Sequence, residues 1–265
     1  MLRRSMGLFD FLSKKGSAPP PQNQKQLSKK VAGPAKTVAD KRAQTYDRAE
    51  AIRVLSEMKT GEAAEALLKR FNFTIDPSIT DQEEKEAAFA GIVGCGKDAV
   101  PFVVAMCERA EVLTWPLRIL KELLSEAAYK KELLALAGSY DTDYARNVEP
   151  KLQVVGALGE VKGADAREAI ERFLEDSNEN VRFTAVQSTF EQSDEKSVGA
   201  LVKLLETEES IRIKNKVCAG FVSTKWTVPA EAVDRLRKGA MRDVEDFALQ
   251  ADGVVVQRGG YSIMT

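Results

Sequence analysis

Residues Gly91 to Lys97 read Gly-Ile-Val-Gly-Cys-Gly-Lys, a G-x-x-x-x-G-K pattern. In a phosphate-binding loop this pattern follows a buried strand and opens a helix. Its backbone N–H groups cradle the phosphates, and a Ser or Thr after the lysine holds magnesium. Here the residue after the lysine is Asp98, whose charge repels phosphate. The segment before the pattern, Asp81 to Val93, has apolar residues at helical rather than strand spacing. The stretch therefore reads as a tight turn between two antiparallel helices. Gly94 and Gly96 make the turn, Asp98 is the N-cap, and Pro101 sits in the first turn of the next helix.

Other routes to chemistry close in the same way. The chain has no histidine, which removes the commonest general base and with it Ser-His and Cys-His nucleophile pairs. Acid clusters such as Glu83, Glu84 and Glu86, or Glu208 and Glu209, fall at helix starts. There the helix dipole favours them as capping groups. Cys95, Cys107 and Cys218 lie among apolar neighbours with no C-x-x-C spacing. They read as small buried hydrophobes in a reducing compartment rather than as zinc ligands. No catalytic residue, metal or cofactor is expected.

The elements that would position any site are helices. From Tyr46 onward apolar residues recur every three or four positions, and no window alternates as a strand does. The helices fall into about six pairs. Their residues are 46–58 with 61–71, 81–93 with 98–110, 114–124 with 128–138, 149–161 with 164–174, 178–192 with 194–205, and 209–222 with 229–240. The last three keep register. Ile170, Leu201 and Val233 recur at intervals of 31 and 32, as do Phe173, Leu204 and Leu236; Lys151, Arg182 and Arg212 recur at 31 and 30. A hairpin repeated at this period predicts an α-solenoid, in which stacked neighbours supply one continuous core.

The residues Asp98 to Met106 (DAVPFVVAM) and Asp176 to Val186 (DSNENVRFTAV) resemble HEAT repeats, of the short form seen in bacterial HEAT-like (phycobilin-lyase-type) proteins. The second stretch places an acid six residues ahead of an arginine, and Glu206 and Arg212 repeat that spacing. The resemblance spans about Tyr46 to Ala240 and implies an all-α, right-handed α-solenoid of HEAT-like hairpins. It implies that Asp176, Arg182, Glu206 and Arg212 pair between neighbouring repeats as a ladder. It also implies that second helices line a concave face. The third pair lacks the acid and carries Trp115-Pro116 instead. After about residue 241 helical periodicity fades, and Val254–Val256 are expected to pack as a short cap on the last repeat.

Charge is unevenly placed. The 265 residues carry 39 Lys and Arg against 40 Asp and Glu, for a net charge of −1. Residues 1–45 hold ten basic and two acidic residues, leaving the remainder at −9. A basic arm thus precedes an acidic body, and nucleic-acid binding by the body is disfavoured. Residues 1–15 read as a short amphipathic segment, with Leu8, Phe9, Phe11 and Leu12 on one side and Lys14 and Lys15 following. A membrane surface, a partner groove or nothing at all could receive it. Residues 16–44, rich in Pro, Lys and Gln, read as a disordered linker, and 45–265 as the repeat domain. Met6 offers a second candidate start. No apolar run is long enough to span a membrane, so a cytoplasmic protein is expected, either free or peripheral at the inner membrane surface.

Two surface features are candidate partner sites. Arg172, Lys203 and Arg235 each lie two residues after a core position of a second helix, so they form a basic column facing away from the core. The column either meets an acidic partner or, with Glu168, Glu171 and Glu175 interleaved, is a merely solvated face. Trp226 lies in the loop before the last hairpin and either plugs a gap or anchors a partner. The expected function is a non-enzymatic scaffold or adaptor that binds protein partners through its solenoid surface. The competing class is a HEAT-like enzyme or enzyme subunit, resembling phycobilin lyases or, at greater distance, alkylpurine DNA glycosylases.

Overall fold

The computed structural model describes residues 28–258. The expected amphipathic segment, residues 1–15, and the first part of the expected linker, to residue 27, lie outside the described residues.

The paired pattern becomes six helical hairpins. Helix α1 (Lys29–Ala39) is followed by α2 (Thr45–Met58) with α3 (Gly61–Leu68), α4 (Ser78–Gly94) with α5 (Val100–Cys107), and α6 (Thr114–Leu123) with α7 (Glu126–Ser139). Then come α8 (Glu149–Glu160) with α9 (Ala164–Arg172), α10 (Glu179–Gln192) with α11 (Val198–Thr207), and α12 (Ile211–Thr224) with α13 (Ala230–Lys238). The chain is an all-α solenoid. First helices pack on first helices, as α8 on α10 and α10 on α12, and second helices on second helices, as α3 on α5 and α7 on α9. The first helices bury a common pattern: Val154, Val155 and Leu158 on α8, Val181, Ala185 and Val186 on α10, Val217, Cys218 and Phe221 on α12. One apolar cluster runs unbroken from Val31 to Val255.

The turns inside four of the six hairpins share a device. Lys59, Ser193 and Lys225 follow α2, α10 and α12 with φ of 49°, 57° and 60°, and Gly96 sits near the end of α4 with φ 62°. One left-handed residue ends the first helix and redirects the chain. Gly96 does this in the stretch that resembled a phosphate loop. Asp98 is not an N-cap: residues 96–99 form a 3-10 turn, and the Val100 N–H donates to the Lys97 carbonyl. The turn satisfies that helix start through its own backbone, so the carboxylate has no cap to make. Pro101 does lie in the first turn of α5.

Two parts of the chain differ from expectation. The linker ends earlier than residue 44, because residues 29–39 form α1, which packs on α2 and α3. Val31, Ala35 and Val38 are buried there. Pro34 lies inside this helix, and the composition that reads as linker hides a one-sided apolar stripe. At the other end, β1 (Phe247–Leu249) and β2 (Val255–Gln257) pair antiparallel, where no strand was expected. The Val228 N–H donates to the Gly253 carbonyl at 2.8 Å and holds the hairpin to the last repeat. Gly253 has φ 87°, and a Cβ there would meet the Val228 carbonyl oxygen at 2.2 Å, so only glycine fits. Val244, Phe247, Leu249 and Val255 are buried, closing the apolar end of the stack.

Candidate functional site

A charge buried in an apolar stack must be paired, and here the pairs recur with the repeat. Lys151 on α8 is buried, with Nζ 2.9 Å from Asp176 Oδ2 in the loop before α10. One repeat on, Arg182 on α10 grips Glu208 before α12, Nε to Oε2 at 2.7 Å and Nη2 to Oε1 at 3.0 Å. Lys214 on α12 then reaches Asp243 beyond α13 at 3.3 Å. Each of the first two bases also donates to the loop leading into its own helix: Lys151 to the Asp143 carbonyl at 3.0 Å, Arg182 to the Asp176 carbonyl at 2.8 Å. The carboxylates accept loop N–H groups, Asp176 from Asn178 and Glu208 from Ser210. Burial pushes the Glu208 carboxyl up, but hydrogen bonds from Arg182 and Ser210, with the Arg182 charge, hold it below its ordinary value.

The first repeats use a denser version. Arg48 on α2 donates to the Ala43 carbonyl and, at 3.0 Å, to both carboxylate oxygens of Glu84 on α4. Arg70, fully buried, joins Glu84 at 2.6 Å and Asp81 at 2.7 Å, and Lys85 completes the group on Asp81 at 2.6 Å. Burial raises Asp81, yet hydrogen bonds from Lys85, Arg70 and the Ile75 N–H bring it below its ordinary value. At α6 aromatic packing takes the place of the ions: Trp115 stacks on Phe71 with centroids 5.1 Å apart, and Arg118 lies 4.3 Å from the Phe89 ring centroid.

The structure places Asp176 and Arg182 in this ladder, but not Glu206 or Arg212. Two residues turn a helix by about 200°, so Lys214 faces inward where Arg212 faces out. Arg212 lies over the Phe183 ring at 3.9 Å, 3.6 Å from Glu179. Glu206 pairs instead with Arg235 at 2.9 Å. Glu84 and Glu208 are also more than capping acids, since arginines bury them. A base recurring on first helices at 31 and 32 residues, Lys151, Arg182 and Lys214, is the signal that locates the ladder.

The basic column is present on successive second helices, but its members are engaged. Arg172 donates to the Tyr140 carbonyl at 2.8 Å, at the end of α7. Lys203 pairs with Glu175, and Arg235 with Glu206. Each reaches back one repeat, so the column is a second, exposed set of ties. A groove of about 490 Å³ beside Lys203 is lined by Glu171, Glu175, Glu208 and Glu209, which offsets the cation locally. Trp226 lies in the turn inside the last hairpin, between α12 and α13, not before it. It packs against Phe190, centroids 5.4 Å apart, partly buried on the core.

Hairpins stacked in two layers, tied by a base on each first helix to an acid ahead of the next, call for comparison with known repeats. A family model for HEAT repeats matches residues 131–220, from within α7 to within α12. Residues 131–220 of the chain are HEAT-like repeats. No curated protein matches it. The matched stretch holds the ladder's Lys151, Asp176, Arg182, Glu208 and Lys214.

Within this HEAT-like stack the residue types that suggested chemistry have structural surroundings. Cys95, Cys107 and Cys218 are buried free thiols. Burial pushes Cys107 and Cys218 up to about 12, and Cys95 also rises. Reactive thiolate is thereby suppressed. Among the described residues no group of three or more Cys, Asp and Glu is placed to hold a metal ion. No single described helix is long and apolar enough to cross a membrane.

Proposed function

We propose that this HEAT-like protein is a non-enzymatic scaffold that presents its solenoid surface to protein partners. The observation that supports this is the commitment of its buried charges. Arg48, Arg70, Lys151, Arg182 and Lys214 each serve to bind one part of the stack to another. The core chemistry thus serves to hold a long surface in one shape, and binding falls to that surface. The N-terminal arm adds a tether. Its apolar residues Leu8, Phe9, Phe11 and Leu12, followed by Lys14 and Lys15, suit an anionic membrane surface or a partner groove on the cytoplasmic side.

The test is a pull-down from native cytosol with the full chain and, in parallel, a chain beginning at residue 28, which keeps α1. Reproducible capture of a protein by both supports the scaffold; capture of none by either refutes it. Reversal of Arg172, Lys203 and Arg235 to Glu asks whether their column contributes. Because these side chains also tie repeats, the Gln variants serve as the control for loss of charge alone. Liposome co-sedimentation of the same two chains tests the tether, and equal partitioning removes it.

A further inference from the structure

Among the described residues, the exposed large apolar side chains are Tyr46, Ile79, Val112, Tyr144 and Ile211, at 42 to 86% exposure. All five sit where the chain passes from one repeat to the next. Tyr46 and Ile79 are the second residues of α2 and α4, Val112 lies two residues before α6, Tyr144 lies in the loop before α8, and Ile211 opens α12. One edge of the solenoid therefore carries one such residue at five of its six hairpins. The loops of that edge are joined to each other. Asn147 donates to the Glu111 carbonyl at 2.9 Å, Ser177 N–H to the Thr142 carbonyl at 2.8 Å, and Ser210 Oγ to Glu179 at 2.8 Å. Val112, Tyr144 and Ile211 thus stand on loops tied into one ridge, and Tyr46 and Ile79 lie at the same edge. Scattered exposed hydrophobes need no explanation, but a row in register with a repeat does.

Exposed Lys41, Arg42 and Arg109 lie near Tyr46 and Val112 in the chain. Around Tyr144 and Ile211 the ridge is acidic, with exposed Asp141, Asp143, Glu149 and Glu209. Of the two nearby cations, Arg146 and Arg212, the second is drawn to Glu179.

We propose that this edge docks an extended basic segment of a partner protein with an apolar side chain at every third position. Neighbouring packed helices are about 8–10 Å apart, so the edge offers an apolar contact at roughly that interval from Tyr46 to Tyr144, and at twice that interval from Tyr144 to Ile211. A polyproline-type extended chain repeats every three residues, or about 9.3 Å. An α-helix presents same-face residues about 5.4 or 10.5 Å apart along its axis, a poorer match to that interval. The acidic surroundings select a basic segment and would repel an acidic one. The proposal rests on the scaffold reading and names a partner surface for it.

A fluorescent (Lys-Pro-Leu)6 peptide titrated with the full chain tests this by anisotropy, beside (Lys-Pro-Ser)6 and (Glu-Pro-Leu)6. The first should bind at least about tenfold tighter than either control, more weakly as salt rises. An Ile79→Ser/Tyr144→Ser variant should lose about fivefold or more of that affinity. Both positions are exposed, and circular dichroism checks that the fold is kept. Equal binding of the Leu and Ser peptides, or no effect of the double substitution, overturns the proposal. So does a full-chain dimer in sedimentation that the same substitutions dissolve, since the occupant is then a second copy. A cytosolic partner still captured by the double variant would leave the scaffold standing and remove this edge from it.

Discussion

Asp176→Ala should be among the most damaging single changes outside the apolar core. The Lys151 and Asp176 side chains are 3% and 0% exposed, with charged atoms 2.9 Å apart. At an effective dielectric constant near 20 that separation is worth about 6 kcal/mol. The variant recovers part of this. Lys151 keeps the Asp143 carbonyl at 3.0 Å and Asp141 at 3.7 Å, the latter 73% exposed and screened. The Asn178 N–H loses its acceptor. A loss of about 3–5 kcal/mol remains, the cost of an uncompensated buried charge. Urea unfolding followed by circular dichroism measures it. Lys151→Met should cost about as much, because it strands the carboxylate. The double variant Lys151→Met/Asp176→Leu should recover most of the loss, because neither charge is then buried alone. In a solenoid the damage is local, so hydrogen exchange should speed up first in α8 and α10. A loss under about 1 kcal/mol for Asp176→Ala, or a double variant as unstable as the sum of the singles, would refute the pairing argument.

Two glycines should respond with opposite signs in thermal unfolding. A Cβ at Gly220 would meet the Phe190 ring at 2.1 Å, so Gly220→Ala should cost about 1–3 kcal/mol. A Cβ at Gly156, inside α8, meets nothing within 4 Å, so Gly156→Ala should stabilise by about 0.5–1 kcal/mol. Glu208 and Asp81 are held below their ordinary values. The stability they contribute is present above the usual carboxylate range and is lost as pH falls through their lowered values. Glu208→Gln should therefore be less stable than the parent near neutrality, with the gap narrowing below about pH 4; a gap independent of pH refutes the assignment. Iodoacetamide at pH 8 should label Cys107 and Cys218 slowly in the native protein and fast in urea. Rapid native labelling of either, by mass spectrometry, would contradict their burial.

The hairpins were legible in the sequence because each first helix buries one side, so Val154, Val155 and Leu158 announce themselves by spacing. The ladder was half legible. Asp176 and Arg182 carried it, but Arg212 lies two residues from Lys214, and a count of intervals cannot tell an inward cation from an outward one. Helix α1 was missed because its Lys and Pro content outweighed Val31, Ala35 and Val38, a correctly spaced stripe with only three members. The terminal hairpin was beyond periodicity altogether. Its strands have three residues each, and the Val228–Gly253 contact that positions it is between distant parts of the chain. The apolar ridge was invisible for a related reason. Tyr46, Ile79, Val112, Tyr144 and Ile211 look like core residues until the fold leaves them outside.

The ladder has a consequence for how such a chain can lengthen. The stretch from Asp176 to Thr207 begins with the acid that receives Lys151 and carries Arg182, the base that seeks an acid just after its end. Duplicated in tandem, it would set its own Asp176 where Glu208 now stands, and the second Arg182 would meet Glu208. Every buried charge would still find a partner, and every apolar first-helix face a like neighbour. Tandem duplication of this stretch would therefore lengthen the stack with its ladder still paired. Among the described residues the array is flanked by α1 on one side and the β1–β2 hairpin on the other, each covering a face that a further repeat would otherwise fill.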